Sequence, residues 1–252
     1  MIDTRYEAYL SGVTSLLSRI AVEEREPILR GAMAIADRVE ADRLVNVIGP
    51  GGHSTIGAEE IFFRAGGLAC VNAILDEGYL LANGGLRSLA VERTPGYGRG
   101  ILANAGISQG DVLIVVNAYG VNSGTIDSAL YAAEVGATTI GVTSVELQRA
   151  LPADHPARHP SRRNLCDVAD IVVDTKVPMG DALVEIPGVH ERIGPVSTFA
   201  TAFAMNALML EAIAELARRG VEPPVWRSAN SPGGDEANRA VIARYRDRVK
   251  RL

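Results

Sequence analysis

The apolar residues at the start of the chain recur every three or four positions, which is the spacing of an amphipathic helix. They are Tyr6, Tyr9, Leu10, Val13, Leu16, Leu17 and Ile20. A helix is therefore predicted over about residues 3–19. A second helix is predicted over about 24–41, with Pro27 in its first turn, where the missing N–H of proline leaves no hydrogen bond unmade.

The pattern then changes to short apolar runs, as expected for strands that are buried on both faces. We place these strands at about 44–48, 68–74, 112–116, 138–142 and 169–173. Helical patterns lie between them at about 55–65, 97–105 and 123–135. Strands that alternate with helices form parallel sheets with right-handed crossovers. The predicted fold class is α/β, a three-layer α/β/α sandwich with a mainly parallel five-stranded sheet.

Two long helical patterns, at about 195–219 and 234–251, complete the chain. The apolar stretch at 195–210 carries polar residues and is followed by Glu211, so we interpret it as a buried helix, too short and too polar to span a bilayer. One domain is predicted over residues 1–252. Its parts are N-terminal helices at 1–42, a central α/β core at 43–174, and a C-terminal strand or loop with helices at 175–252.

Composition restricts the partners of the protein. The 252 residues include 47% hydrophobic and 22% charged side chains with a formal net charge of −5, so there is a core to bury but no basic face for nucleic acid. The acidic start lacks the positive and apolar regions of an export signal, which predicts a cytoplasmic protein with no membrane partner. Cys70 and Cys166 lack metal-site spacing, so both are predicted to be reduced core residues.

Ligands of open parallel sheets bind beyond the carboxyl ends of the strands, so a site is expected in the segments that follow them. The first strand is followed by Gly49-Pro50-Gly51-Gly52-His53-Ser54-Thr55. Gly51 and Gly52 let a ligand approach the backbone, and Ser54 and Thr55 begin a helix whose free N–H groups favour an anion. The alternative is a tight turn capped by Ser54, which explains fewer of these residues.

A second polar loop follows the third predicted strand. Its candidate ligand-binding residues are Asn117, Tyr119, Asn122 and Ser123. Side-chain amides and hydroxyls at the start of a helix suit the binding of a sugar or an anion. In the alternative interpretation, Asn122 or Ser123 only caps the helix.

The middle of the chain resembles the central part of sugar isomerase (SIS) domains. The resemblance lies in Gly110-Asp111, the apolar strand after it, a polar loop around Gly120, a helix and the segment 136–143. The resemblance extends over about 44–174. Within it, Ala58-Glu59-Glu60 after the first loop is similar to a group of SIS proteins that resemble phosphoheptose isomerase. The resemblance implies a flavodoxin-like fold, a small sugar or sugar-phosphate ligand, and a homodimer or tetramer.

One departure from the family pattern bears on the ligand. SIS domains usually have Ser-x-Ser-Gly-x-Thr in the second loop, whose hydroxyls hold a phosphate, whereas this chain has Asn117, Tyr119, Gly120 and Asn122 in those places. The resemblance therefore leaves two ligand classes open, a sugar phosphate and an unphosphorylated or differently substituted sugar.

Moving a carbonyl group between neighbouring carbons requires a base, and a carboxylate or an imidazole is the usual one. Glu59, one turn into the helix after the first loop, is the preferred candidate, and Glu60 is the second. His53 in the first loop or His190 before the long C-terminal helix is the expected partner acid. The alternatives are a solvated helix face for both glutamates and structural roles for both histidines.

Three further residues are expected at the ligand end of the sheet, namely Lys176, Asp181 and Ser197. Lys176 is a candidate for neutralising an acidic substrate, with an ordinary surface cation as the alternative. His155 and His159 stand four residues apart between prolines that exclude a helix, so a solvated loop is predicted there rather than a metal site.

The favoured function is a sugar or sugar-phosphate isomerase or lyase that abstracts a proton and passes through an enediol, with neither a metal nor a nucleotide cofactor. The alternative is a sugar-binding sensor or regulatory module without catalysis. A nicotinamide-dependent oxidoreductase is less favoured: Gly49-x-Gly51-x-x-Ser54 and Asp76 approximate a dinucleotide fingerprint, but a serine replaces its third glycine.

Overall fold

A computed structural model describes residues 4–252. Its α-helices are α1 (Arg5–Glu23), α2 (Arg25–Glu40), α3 (Ser54–Ile61), α4 (Gly85–Glu92), α5 (Tyr97–Ala105), α6 (Ser123–Val135), α7 (Val145–Ala150), α8 (Leu165–Val168), α9 (Ser197–Arg218) and α10 (Gly234–Tyr245). Its strands are β1 (Val45–Ile48), β2 (Val71–Ala73), β3 (Val112–Val116), β4 (Thr138–Thr143), β5 (Ile171–Asp174), β6 (Ala182–Val184) and β7 (Ile193–Pro195). A 3₁₀ turn at Leu81–Asn83 precedes α4.

The first five strands form one parallel sheet in the order β2-β1-β3-β4-β5, which confirms the predicted α/β fold. Because β1 lies between β2 and β3, the chain leaves the centre of the sheet first in one direction and then in the other. In open α/β sheets the crevice at this reversal is the usual place for a ligand. The fold therefore directs attention to the ends of β1 and β3.

Alternating residues of β3 enter two separate apolar cores on the two faces of the sheet. Val112, Ile114 and Val116 pack on the side of α2, α3 and α9, whereas Leu113 and Val115 pack on the side of α5 and α6. Fully burying an aliphatic side chain of this size contributes about 1.5–3 kcal/mol. These two cores hold the three layers together and make the sheet edge a rigid base for the loops above it.

Helix α9 covers nearly the predicted range, but the expectation that its apolar stretch is too short to span a bilayer does not hold for the whole helix. It has 22 residues and a mean hydropathy of 1.4 over its most apolar window, so by length and composition alone it is able to cross a membrane. One face of it nevertheless lies in the core on α2, where Leu208 packs over Gly31. A side-chain carbon at Gly31 would lie 2.6 Å from Leu208 Cδ2, so glycine permits the close approach of the two helices.

The short elements were not predicted. They are α4, α7, α8 and the antiparallel β6–β7 hairpin. In addition, β2 begins only at Val71, because Leu68 pairs instead with Val225 in an isolated antiparallel bridge. Elements of three to eight residues carry too little periodicity to stand out in a sequence, and these depend on contacts with distant segments.

Replacing Leu208 with alanine should lower the free energy of unfolding by about 2–5 kcal/mol, the usual cost of a cavity at a fully buried leucine. Urea denaturation measures the change. Leu86→Ala is the matched control, since Leu86 is 86% exposed and its loss should cost less than about 0.5 kcal/mol. Equal losses in the two variants would contradict the assignment of α9 to the core.

Candidate functional site

A cleft of about 630 Å³ opens above the ends of β1 and β3. Its base is formed by the loops after these strands, Gly51–Ser54 and Asn117–Asn122. Its walls come from α4, from the segment 151–157 and from the start of α9. The cleft therefore lies at the reversal in strand order, where the sheet topology places a ligand.

Many of the residues selected from the sequence meet in this cleft. Those that line it are Gly51, Gly52, His53, Ser54, Asn117, Tyr119, Asn122, Asp181 and Ser197. Those outside its lining are Thr55, Ser123, Glu59, Glu60, His190 and Lys176. The two predicted loops thus converge, whereas the preferred base and one of the two expected acids do not join them in this chain.

Two hydroxyl residues support the loops from below. Thr55 is buried, and its hydroxyl lies 3.1 Å from the carbonyl oxygen of Gly49 and 2.9 Å from that of Gly51, so it closes the turn into α3. Ser123 is buried at the start of α6. Neither residue lines the cleft, and the hydrogen bonds of Thr55 fix the backbone of the first loop.

The expected catalytic residues outside the cleft have other surroundings. Glu59 is exposed on α3, and Glu60 accepts a hydrogen bond of 3.0 Å from Asn206 of α9. The His190 ring is exposed in the turn between β6 and β7, where Nδ1 lies 3.0 Å from Glu191. For Glu59 the reason is geometric, since each turn of helix carries the chain about 5.4 Å from the strand ends.

Lys176 is held by an acidic group of its own. Its Nζ lies 2.6 Å from Glu24, 3.2 Å from Glu23 and 3.2 Å from Asp174. Although burial opposes the charged form, these ion pairs raise the pKa of Lys176 above its ordinary value. The lysine therefore joins the α1–α2 junction to the end of β5, and Arg93 is the cation that lines the cleft instead.

The backbone of the first loop offers hydrogen-bond donors to the cleft. Within residues 4–252, the N–H groups of Gly51, Gly52, His53 and Ser54 have no hydrogen-bond acceptor. Gly51 has φ of +127°, a conformation that side chains rarely allow, which turns the loop. Adjacent free N–H groups at a helix start form a binding place for an anion.

Asn117 ties the two loops together. Its Nδ2 donates to the carbonyl oxygen of Pro50 at 2.9 Å and to the hydroxyl of Ser54 at 3.1 Å, and its Oδ1 accepts from the N–H of Gly120 at 2.7 Å. The amide is therefore used within the protein. Because the Ser54 oxygen accepts from Asn117, the proton of the Ser54 hydroxyl is left for a ligand.

Glu92 is the carboxylate that sequence reasoning missed. It is the last residue of α4 and lines the cleft, and its Oε2 occupies the space where a side chain on Gly51 would lie. Burial raises the pKa of Glu92 to about 6, against the opposing effects of Arg93 and of a hydrogen bond from Asn122. The rule that the segment after each strand faces the ligand applies to β2 as well, and it would have pointed to α4.

The segment between α7 and α8 is a largely exposed loop, as predicted, but its two histidines are partly buried. His159 is largely buried, with its Nε2 3.2 Å from Asp127 Oδ1. His155 lines the cleft, and its Nδ1 accepts from the N–H of Ala157 at 3.2 Å, so the neutral ring carries its proton on Nε2. Arg158 fixes the segment by donating to the carbonyl oxygens of residues 148, 151 and 152.

Asp181 and Ser197 form a cap on the start of α9. Asp181 Oδ1 accepts from the N–H groups of Val196 and Ser197 at 3.1 and 2.7 Å, and Oδ2 accepts from the Ser197 hydroxyl at 2.6 Å. This carboxylate is thus satisfied by the helix. Tyr119 lies beside it half-buried, and burial together with the charge of Asp181 raises the pKa of its phenol.

Two observations concern the residues that a metal or a dinucleotide would require. Residues 4–252 contain no group of three or more His, Cys, Asp or Glu side chains arranged to hold a metal ion. Asp76, which the dinucleotide hypothesis requires, accepts hydrogen bonds from the N–H of Gly78 and the hydroxyl of Tyr97 at 2.8 and 2.7 Å.

Comparison with known proteins decides the family. The family model described as the SIS domain matches residues 8–144, which is more than half of the chain. The chain belongs to the SIS domain family. Its two long loops at the ends of β1 and β3 lie inside the matched region.

The chain is also similar to curated relatives and to solved structures. The chain is 40% identical over 250 residues to a UPF0309 protein of Brucella anthropi, covering 99% of this chain and 98% of that protein. A UPF0309 protein of Brucella canis is 40% identical over 246 residues, covering 98% of each. The phosphoheptose isomerase of Neisseria gonorrhoeae shares the fold, with a TM-score of 0.54, 12% identity, and coverage of 83% of this chain and 96% of that one.

Glu92→Gln should make this SIS protein more stable at neutral pH. The pKa of Glu92 is about 6 in the folded state, above its ordinary value of 4.5, so between these values the folded protein holds more protons than the unfolded one. The free energy of unfolding due to this group therefore falls as pH rises through that window and stays lower above it. We expect the variant to exceed wild type in urea denaturation above pH 6 and to lose this advantage below pH 4.5.

Glu77→Gln is the control for this pH series, because Glu77 is an exposed carboxylate in the segment before α4. Its profile should follow that of wild type. If Glu92→Gln gained the same free energy of unfolding at every pH, the interpretation of Glu92 as a partly buried carboxylate with a raised pKa would be contradicted.

Proposed function

We propose that this protein is an isomerase or lyase of a small sugar or sugar phosphate. The observation that carries the proposal is the cleft over β1 and β3, which combines the free N–H groups of the Gly51–Ser54 loop with a carboxylate at its wall. Membership of the SIS domain family and the fold shared with a phosphoheptose isomerase support it. The substrate is soluble and small, in keeping with the predicted action in the cytoplasm.

The anionic end of the substrate lies on the first loop in this proposal. The free N–H groups, the Ser54 hydroxyl and the positive end of α3 attract a phosphate or a carboxylate there. Arg93 at the cleft wall adds a positive charge. These groups bind the anion in place of the hydroxyls that the second loop lacks. In that loop the Asn117 amide is already hydrogen-bonded to Pro50 and Gly120.

The reaction moves one proton between neighbouring carbons. A base removes the proton from the carbon next to the carbonyl group, and the electron pair of that C–H bond forms a C=C bond while the carbonyl oxygen becomes negative. The hydroxyl proton passes between the two oxygens of the enediol, and the base returns its proton to the other carbon. Atoms and electrons balance without a further reactant.

Solvent exchange tests this proposal. Ribose 5-phosphate, glucose 6-phosphate, sedoheptulose 7-phosphate and the matching free sugars are incubated with the protein in D₂O, and NMR follows the loss of the C–H signal beside the carbonyl. We expect enzyme-dependent exchange in at least one compound, because an enediol takes its returning proton from a base that exchanges with solvent. Ser54→Ala should weaken binding of that compound about tenfold, the effect of one hydrogen bond to a charged group.

Thermal-shift measurements on the same compounds separate the two classes of function. Stabilisation without exchange would contradict the isomerase and support a sugar-binding module. If no compound stabilises the protein and none exchanges, both the isomerase and the sugar-binding module are contradicted. The control for Ser54→Ala is Ser18→Ala, a change on α1 outside the cleft lining.

We also propose that the protein forms a homodimer or a dimer of dimers through α1, the β6–β7 hairpin and α9. Exposed apolar side chains lie on these elements, namely Tyr6, Leu10, Ile193, Phe199 and Leu210. Phe199 and Leu210 are eleven residues apart, close to three helical turns, so they share one side of α9. Apolar patches of this kind are usually covered by a partner.

Light scattering at micromolar concentration should therefore give the mass of a dimer or a tetramer of the 26.7 kDa chain. Leu10→Glu should lower it, because it places a charge in the apolar patch. Arg30→Glu on α2 is a control for the added charge, since Arg30 belongs to an exposed ion pair. A wild-type mass of 26.7 kDa would contradict the proposal.

A further inference from the structure

We propose that Glu92 is the base that removes the proton from the substrate, in place of Glu59 and Glu60 on α3. This assignment rests on the proposed isomerase function and adds the residue that performs its chemical step. Glu92 belongs to α4, an element that the sequence analysis did not identify. Three observations about its position carry the proposal.

The first observation is where the carboxylate lies. Glu92 is part of the cleft lining, and its Oε2 lies so close to Gly51 that any side chain at residue 51 would overlap it. Gly51 begins the row of free N–H groups that ends at Ser54. A substrate held by its anion on this loop therefore has the Glu92 carboxylate close to it.

The second observation is how the carboxylate is held. Asn122 Oδ1 accepts from the N–H of Thr125 and caps α6, which fixes the side chain and turns its amide nitrogen the other way. That amide acts to lower the pKa of Glu92, against the larger effect of burial. No ion pair engages Glu92 among the salt bridges of residues 4–252, in contrast to Lys176 with its three carboxylates. Arg93 by its charge and Asn122 by its amide both act to lower the pKa of Glu92, but burial outweighs them, so the carboxylate keeps its basicity for a substrate.

The third observation is its environment. Burial brings the pKa of Glu92 to about 6. A base with a pKa near the working pH combines a large ionised fraction with a strong tendency to take the proton. The carboxylates of α3 do not share this position, since Glu59 is exposed and Glu60 is bonded to Asn206 and Arg64.

The structure also supplies a donor for the negative oxygen. The His155 ring, fixed with its proton on Nε2, lies on the cleft wall formed by the segment 151–157. In the proposed step Glu92 takes the proton from carbon, and the enediolate oxygen accepts a hydrogen bond from His155. The hydroxyl proton then passes between the two oxygens, and Glu92 returns its proton to the neighbouring carbon. Glu92 is neutral only between these two transfers.

The test compares Glu92→Gln with wild type on whichever compound exchanges deuterium, from the panel of ribose 5-phosphate, glucose 6-phosphate and sedoheptulose 7-phosphate. We expect the exchange rate to fall by about two to four orders of magnitude, the usual contribution of a general base. Binding of the same compound, followed by calorimetry, should change less than tenfold. Glu77→Gln, an exposed carboxylate on the chain before α4, should exchange at the wild-type rate.

The pH profile gives a second readout. The exchange rate of wild type should rise with pH and level off above about pH 6, as the carboxylate ionises. The assignment would be overturned if Glu92→Gln exchanged deuterium at the wild-type rate while Glu59→Gln or Glu60→Gln lost exchange. That result would leave the isomerase function intact. Absence of exchange in wild type with every compound would overturn the function and the assignment together.

Discussion

The side-chain amide of Asn117 connects the parts of the cleft. It joins the loop after β3 to the loop after β1 through Pro50 and Ser54, and it holds its own loop through Gly120. All of these partners are close to the point where the strand order reverses. Because the amide is buried, each of its hydrogen bonds would be costly to lose. The cleft therefore has a fixed base before any ligand arrives, which reduces the ordering cost of binding.

Charge is distributed unevenly around the floor of the cleft. Two charged groups that the sequence offers to a ligand are satisfied inside the protein: Lys176 by carboxylates of the α1–α2 junction and β5, and Asp181 by the start of α9. Glu92 differs, since no salt bridge within residues 4–252 engages it and burial raises its pKa. A site in which most charges are neutralised and one carboxylate is kept partly desolvated matches the requirements of proton transfer at carbon.

The same arrangement has a consequence for stability. Folding places Glu92 where its charged form is disfavoured, so the protein is less stable at neutral pH than it would be with a neutral residue there. Functional residues commonly carry such a cost, because an environment that suits chemistry is a poor one for a resting charge. The two rigid cores on either side of the sheet, built around β3, offset it.

The sequence by itself determined the sheet, its parallel strands and the two polar loops. Val112–Val116 and the glycines after Ile48 form patterns within a few residues, and local periodicity and backbone freedom decide such features. It could not determine which carboxylate enters the cleft. Glu59 is close in sequence to the first loop but is carried away along α3, whereas Glu92 is forty-one residues from Gly51 and reaches it through a short helix with little pattern of its own. Tertiary structure decided this point, because the position of α4 depends on contacts between segments that are distant along the chain, and no local spacing records them.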